Sequence, residues 1–560
     1  MLKLSAICLA TLLVLHTPFS VAQTRPVAAL SDSALSASID ASLARHFKKD
    51  EPGATVIVTR EGKPVLRKAY GMADVAKGAV MTPEHTLRLG SITKQFTAVA
   101  ILMLAEEGKL AVSDDITKFL PDYPTKGKKI TIEHLLTHTS GIVSYTSKRA
   151  FMAGMASDIS VAQMIDSFKN DPLEFEPGTR YKYNNSAYFL LGAVIEKLSG
   201  MSYAKFVEQR IFVPLGMNNS AFEGYERGQA PRAAGHSRSD KGYSPARALS
   251  MSWPYAAGSL VSSVDDLATW DAAIGNGKLL KPASWKQAFT SYKLADGSST
   301  NYGYGWDVAQ FKGTPNISHG GGINGFSTYA MRLPEQKIYV AVLTNSDSGI
   351  VPSEMIANKA AAAAMGMPFP ELQAIALTAE QLDAFTGTYK MDDKNERIIR
   401  REQDKLMMTR PGRPPVAMVP YSPTGFMLDN TLARFEFTRN ASGEVSGLTV
   451  HNADGSPVNN ARTGPLPAEP KAVQLSYADF DKLAGRYELA PQFILEVSRD
   501  GNRFFAQASG QGKIEIQALS PTLFWSKAVN GRLQFGKSAD GKDQLVLTQG
   551  GRDQAAVRLP

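Results

Sequence analysis

Ser91-Ile92-Thr93-Lys94-Gln95-Phe96-Thr97-Ala98-Val99-Ala100-Ile101-Leu102-Met103-Leu104-Ala105, residues 91–105, is the stretch on which the fold of this 560-residue chain turns. Ile92, Phe96, Val99, Ala100, Met103 and Leu104 recur at helical spacing and predict a helix. Ala98, Ile101 and Leu102 fill its other side, so the helix is apolar nearly all round and is expected to be buried. Lys94 is its only charge before Glu106. A cation in a first helical turn opposes the helix dipole by about 0.3–1 kcal/mol, and burial adds a desolvation cost. Both effects favour the neutral amine, lower the lysine pKa and make it a usable base. The three-residue spacing sets Lys94 on the face of Ser91, within hydrogen-bond reach. Free N–H groups at the helix start suit an oxyanion. Ser-x-x-Lys is a weak signal alone, since about two matches are expected by chance in a chain this long. A lysine that snorkels to solvent beside an N-cap serine gives the same letters.

Two further motifs supply the context. Tyr183-Asn184-Asn185 follows the turn Glu176-Pro177-Gly178-Thr179 and precedes an amphipathic helix from Ser186. Tyr183 and Asn185 therefore fall on a loop feeding a helix, where functional side chains are often held. A tyrosine near a buried lysine can share its proton, acting as base and later as acid. Asn185 can hold the lysine or a substrate amide. A core tyrosine and a capping asparagine are the plain alternative. His319-Gly320-Gly321-Gly322 stands at the start of an expected strand, where glycines imply close approach of another group. The Gly322 N–H offers a second oxyanion donor beside that of Ser91. His319 offers a group to bind a substrate carboxylate or shuttle protons.

Around these motifs the chain divides into blocks. Thr55–Arg60 and Val65–Tyr70 read as strands of a hairpin, and Phe326–Leu333 and Lys337–Leu343 as another pair. Strands at both ends with helices between predict one antiparallel sheet closed by both ends of a catalytic block, residues 34–366. Pro368 and Pro370 mark one linker; Pro465, Pro467 and Pro470 mark a second. Beyond the first lies an internal repeat. Leu377, Leu382, Asp383, Phe385, Gly387 and Tyr389 match Leu475, Phe480, Asp481, Leu483, Gly485 and Tyr487, every pair 98 residues apart. The offset continues through Ser422-Pro423-Thr424 and Ser520-Pro521-Thr522, and through Phe426/Phe524, Phe437/Phe535 and Gly443/Gly541. Two copies of one small domain follow, residues 376–464 and 474–560. Short alternating runs such as Phe493–Val497 and Gln544–Thr548 make them antiparallel β-barrels.

Composition bounds the rest. Hydrophobic residues make up 43% and charged residues 20%, a globular balance. Lys3, the apolar run Leu4–Leu15 and the small residues Ser20-Val21-Ala22 read as a signal peptide cleaved after Ala22, residues 1–22. The run is too short to span a bilayer comfortably, and Cys8 lies inside it, not at a lipoprotein cleavage point. No later apolar stretch approaches 18 residues, so a soluble exported protein without a stable membrane anchor is expected. Cys8 is the only cysteine, which excludes disulfides and thiolate chemistry from the mature chain. The net charge is +8, which favours anionic surfaces such as cell-wall polymers. The basic residues are scattered, and nothing supports nucleic-acid binding. His134 and His138, four apart on an expected helix, lack the pattern of a zinc protease. No Walker-type phosphate loop occurs. No metal and no cofactor is expected.

Taken together, Ser-x-x-Lys, Tyr-x-Asn and His-x-Gly in this order resemble the serine hydrolase family that contains class C β-lactamases and low-molecular-weight penicillin-binding proteins. Arg88-Leu89-Gly90, Leu135-Leu136-Thr137-His138-Thr139-Ser140-Gly141 and Ala257-Gly258-Ser259-Leu260 fit it as well. The resemblance implies an α+β fold: an antiparallel sheet flanked by helices, an all-helical lobe, and a site between them, followed here by two small lipocalin-like barrels. It implies catalytic Ser91, Lys94 and Tyr183, an oxyanion hole from the N–H groups of Ser91 and Gly322, and positioning by Asn185, His319 and Gly321. Class C β-lactamases resemble a Lys-Thr-Gly pattern at the third motif. A histidine there is similar to D-aminopeptidases and some DD-peptidases, and D-aminopeptidases of this family also carry two barrels. In those enzymes a loop of the last barrel reaches the site. Its nearest counterpart here, Ser509 to Gly512, is short and reads as a plain hairpin, like the turn around Gly412 in the first repeat. The expected protein is a periplasmic hydrolase of short peptides or amides containing D-amino acids. Esters, β-lactams and cell-wall fragments are alternative substrates, and a non-catalytic cell-wall binder is the alternative of another class.

Overall fold

A computed structural model describes residues 31–148, 154–349, 351–393, 395–411, 413–468, 470–490, 493–529, 531–549 and 552–560. The expected signal peptide, Cys8 and Gly412 lie outside the described residues.

The sheet is built as the two ends of the catalytic block suggest. Its six strands run in the order Asp307–Phe311, Thr314–Ile323, Phe326–Leu333, Ile338–Thr344, Ala54–Arg60, Lys63–Tyr70, each antiparallel to its neighbours. Ala54 pairs with Thr344 and Arg60 with Ile338, so the N-terminal hairpin docks on the last strand. Glu61 and Gly62 join that hairpin with φ of 53° and 77°, the left-handed pair that a two-residue turn demands.

Alternation along the strands splits the core in two. Val56, Val58, Val340 and Val342 face the rear, where helices Asp32–Ala44 and Ser353–Ala364 cover them with Leu35, Ile39, Leu43, Ile356 and Ala360. Ile57, Ala330, Ala341 and Leu343 face the front and join the larger core of the helical part, with Phe96, Tyr188, Leu191 and Trp270. Burial of this kind contributes roughly 1.5–3 kcal/mol for each large side chain. The edge strand Lys63–Tyr70 carries Lys63, Arg67 and Lys68 at exposed positions, which suits an edge facing water.

The nucleophile helix runs Thr93–Glu106, and every residue from Thr93 to Leu104 is buried. It begins later than its pattern suggested: Gly90–Ile92 is a 3-10 turn, and Ser91 is not an N-cap. Three residues per turn in that geometry stack Ser91 under Lys94. The second buried helix, Asn185–Ser199, opens with Asn185 itself rather than Ser186; Asn184 caps it through the Ala187 N–H at 3.0 Å, and Gly200 ends it at φ 71°.

Two sequence expectations shift. Gly320, Gly321 and Gly322 lie in the last third of the Thr314–Ile323 strand, not at its start. The helix of His134 spans only Ile132–Leu136, so His138 lies beyond it at φ 58°.

The 98-residue repeat becomes two closed eight-stranded antiparallel barrels, the first from Gly387–Lys390 to Pro457–Gly464, the second from Gly485–Ala490 to Arg552–Arg558. The turn at Ser509 closes on its own barrel: the Ser509 N–H donates to the Ile494 carbonyl at 2.9 Å, and the Gln507 side-chain amide to the Gln511 carbonyl at 2.9 Å.

Candidate active site

Three oxygen atoms surround the Lys94 amine. Nζ lies 3.0 Å from Ser91 Oγ, 2.9 Å from Asn185 Oδ1 and 2.8 Å from the Ala257 carbonyl. The Asn185 amide is oriented by its other end, which donates to Thr146 Oγ1 at 3.2 Å. Neither carbonyl oxygen can donate, so the amine must donate to both. A neutral amine has only two N–H bonds, so in that form both go to the carbonyls and the lone pair is left to accept the Ser91 hydroxyl proton. Lys94 is fully buried, and burial holds its pKa well below that of an ordinary lysine. The partners accommodate the neutral form, and burial favours it.

Tyr183 closes the triangle. Its phenol interacts with the Ser91 side chain, and its ring centroid is 4.8 Å from Lys94 Nζ. Burial pushes the phenol pKa up, and the Ser91 interaction works against that rise. Tyr183 still keeps 37% of its surface exposed, as a group that meets a substrate must.

His138 supports this ring. Its centroid is 4.3 Å from that of Tyr183. Its Nδ1 accepts the Asn184 N–H at 3.1 Å, which leaves the ring proton on Nε2. Nε2 is buried without a partner, and burial drives the pKa well down. His319 is also buried and neutral, its pKa lowered to about 3 by burial and then by Lys94. Its Nδ1 donates to the Gly320 carbonyl at 2.6 Å and its Nε2 accepts the Tyr302 hydroxyl at 2.9 Å. With both nitrogens taken and no charge, His319 is not placed to grip a substrate carboxylate directly; it holds Tyr302 and the strand.

That strand lies hard against the nucleophile turn. A Cβ on Gly321 would come within 2.0 Å of the Leu89 carbonyl oxygen and 2.1 Å of Thr328 Oγ1. Thr328 Oγ1 in turn donates to the Leu89 carbonyl at 2.7 Å. A Cβ on Gly90, which stands at φ 55°, would come within 3.0 Å of the Gly322 backbone nitrogen. Ser91 and Gly322 thus line one cleft of about 200 Å³, with Tyr145, Asn185, Leu249 and Asn324 around it.

Every residue singled out in the sequence gathers here: Ser91, Lys94, Tyr183, Asn185, His319, Gly321 and Gly322. Tyr145, Thr146 and Tyr302 escaped notice because they belong to no motif, and nothing in their local pattern sets them apart from core tyrosines or loop threonines. His138 and Ala257 stood in quoted stretches, but only the fold reveals the ring contact of one and the carbonyl of the other.

An antiparallel sheet, a helical lobe and a serine–lysine–tyrosine cluster between them define a serine hydrolase. The chain belongs to the Beta-lactamase family, whose model matches residues 39–365. It is similar to Penicillin-binding protein 4* of Bacillus subtilis (strain 168), 28% identical over 441 residues that cover 74% of this chain and 96% of that protein. It is similar also to the D-aminopeptidase of Gluconobacter oxydans (strain 621H), 27% identical over 346 residues, covering 60% of this chain and 63% of that one. Among solved structures, the octameric penicillin-binding protein homologue from Pyrococcus abyssi shares 29% identity at a TM-score of 0.55, covering 74% of this chain and 97% of that chain. Among the described residues no helix is long and apolar enough to cross a membrane.

Proposed function

We propose that this protein is an exported hydrolase that cleaves amide or peptide bonds next to D-amino acids through an acyl-enzyme on Ser91. The observation that carries the chemistry is the Lys94 amine, buried, donating to two carbonyls and facing the Ser91 hydroxyl.

The substrate carbonyl would sit between the N–H groups of Ser91 and Gly322. Lys94, with Tyr183, takes the Ser91 proton as Oγ attacks, and the carbonyl becomes a tetrahedral oxyanion. Tyr183 passes a proton to the leaving amine. Water, deprotonated by the same pair, then attacks the ester and releases Ser91. Asn185 holds the amine in line, and Gly321 lets the oxyanion strand approach.

The substrate class draws on four observations. No charged side chain lines the cleft among the described residues. His319 supplies no cation where class C β-lactamases resemble Lys-Thr-Gly. A neutral amide therefore suits the site better than a substrate anchored by its carboxylate. The twin barrels and the D-aminopeptidase relative point the same way. Export to the periplasm rests on the Leu4–Leu15 run.

The test is a substrate panel on the purified protein: a D-alanine anilide, a D-Ala-D-Ala peptide, a cephalosporin and a short-chain nitrophenyl ester. The anilide should give the highest kcat/KM, and mass spectrometry should place a fluorophosphonate adduct on Ser91. Full turnover by Ser91→Ala would end the mechanism; preference for the cephalosporin would overturn the substrate class alone.

A further inference from the structure

A group that moves protons has to be held close to its working geometry. Tyr183 stands on a stretch, residues 180–184, that forms neither helix nor strand. Its restraint comes from across the fold, from His138. The Lys182 N–H donates to the His138 carbonyl at 3.0 Å, and the Asn184 N–H donates to His138 Nδ1 at 3.1 Å. One residue thus grips the backbone on both sides of Tyr183. The same segment laces down the chain before it: the Gly178 N–H donates to the Thr139 carbonyl at 2.8 Å, and the Glu174 N–H to the Gly141 carbonyl at 2.7 Å.

The imidazole itself is boxed in. Its centroid lies 4.8 Å from that of Tyr302 and 5.0 Å from that of Tyr188, besides its contact with Tyr183. Tyr188 is tied to the Leu136 carbonyl at 2.7 Å and Tyr302 to His319 at 2.9 Å. Two costs accompany this placement. His138 stands at φ 58°, a left-handed backbone uncommon for a residue with a side chain, and one that persists only where the surroundings over-determine it. Its Nε2 is buried without a partner, which is also unfavourable. An apolar residue would avoid the second cost but would leave the buried Asn184 N–H without an acceptor.

We propose that His138 is a positioning residue for this hydrolase, aiming the Tyr183 phenol at Ser91 through its grip on Lys182 and Asn184. The inference rests on the roles given above to Ser91 and Tyr183.

A double-variant cycle tests it, read as kcat and KM on whichever compound of the substrate panel turns over fastest. His138→Ala should lower kcat about 10–100-fold, as a misplaced catalytic group does, and leave KM nearly unchanged. In a Tyr183→Phe background the same substitution should lower kcat no further, because the group it aims is already gone. His138→Asn should recover most of the loss: asparagine tolerates the left-handed backbone, and its amide oxygen can accept the Asn184 N–H in place of Nδ1. His138→Gly, unstrained at a positive φ, takes the place of the alanine variant should that one not fold. The proposal falls if His138→Ala turns over like the parent, if its loss is the same with and without the Tyr183 hydroxyl, if the loss lies in KM, or if His138→Asn is as slow as His138→Ala. A Tyr183→Phe variant as fast as the parent, or a fluorophosphonate adduct anywhere but Ser91, would instead bring down the assignments beneath it, and this inference with them.

Discussion

The catalytic domain and the barrels place charge in opposite settings. In the barrels Arg401 forks onto Asp383 at 2.7 and 3.0 Å, and 98 residues later Arg499 forks onto Asp481 at 2.6 and 2.9 Å. These pairs are solvent-exposed, where ion pairs contribute little to stability. In the catalytic domain Lys94 is buried among neutral acceptors, with neutral His138 and His319 nearby. A fold gains nothing in stability from a desolvated amine. The contrast says that Lys94 is kept for its reactivity and the surface pairs for register and solubility.

Lys94→Met should break this contrast most visibly. Loss of a general base costs about 10²–10⁴-fold in rate, so kcat/KM should fall by that order while the melting temperature holds or rises. The pH dependence has a definite sign. The native amine titrates below its unfolded value of about 10.4, so between those two values the unfolded chain binds a proton that the native chain does not. Wild-type stability relative to Lys94→Met should therefore decline as pH falls through that window and level off below the native pKa. The same amine sets the acid limb of the kcat/KM profile below the ordinary lysine range, and Tyr183, pushed upward, sets the alkaline limb above the ordinary tyrosine range. A profile with no acid limb, measured alongside an unimpaired Lys94→Met, would leave the amine a structural ornament.

Gly321 and Gly322 sharpen the comparison within a single strand. A methyl on Gly321 meets the Leu89 carbonyl oxygen at 2.0 Å, while a methyl on Gly322 meets nothing within 4 Å. Gly321→Ala should destabilise by about 1–3 kcal/mol, as overpacking does, and should also lower kcat by moving the strand from Ser91. Gly322→Ala should melt like the parent. Thermal melts and kcat for the two variants decide it; equal effects would mean the strand does not bear on the nucleophile turn.

Much of this was legible in the sequence because local pattern and tertiary contact agreed. The apolar run after Ser91 could only be buried, and the constant 98-residue offset could only mean two like domains. The sheet followed from β-rich runs at both ends of the block. What escaped depended on long-range contacts that leave no local trace. The 3-10 turn at Gly90–Ile92 comes from the packing of the turn on Gly321 and Gly322. His138 falls off its helix because that helix ends at Leu136 and the chain turns through φ 58°. His319 offered a carboxylate ligand on paper. Tyr302, seventeen residues before it and paired at 2.9 Å, takes the nitrogen that such a role would need.

The smallest expected effect tests whether the barrels repeat in physics as well as in letters. Tyr389 donates its hydroxyl to the Phe385 carbonyl at 2.7 Å, and Tyr487 to the Leu483 carbonyl at 2.7 Å. In each barrel the bond ties the first strand to the chain just before it. Tyr389→Phe and Tyr487→Phe should each cost about 1 kcal/mol, the net worth of one hydrogen bond, and the losses should add in the double variant because the two sites share no partner. Hydrogen exchange should loosen only the barrel that carries the substitution, with turnover at Ser91 unchanged. Unequal costs would mean that one barrel leans on neighbours for what the other draws from its own tyrosine, and that equal spacing in the sequence conceals unequal roles in the molecule.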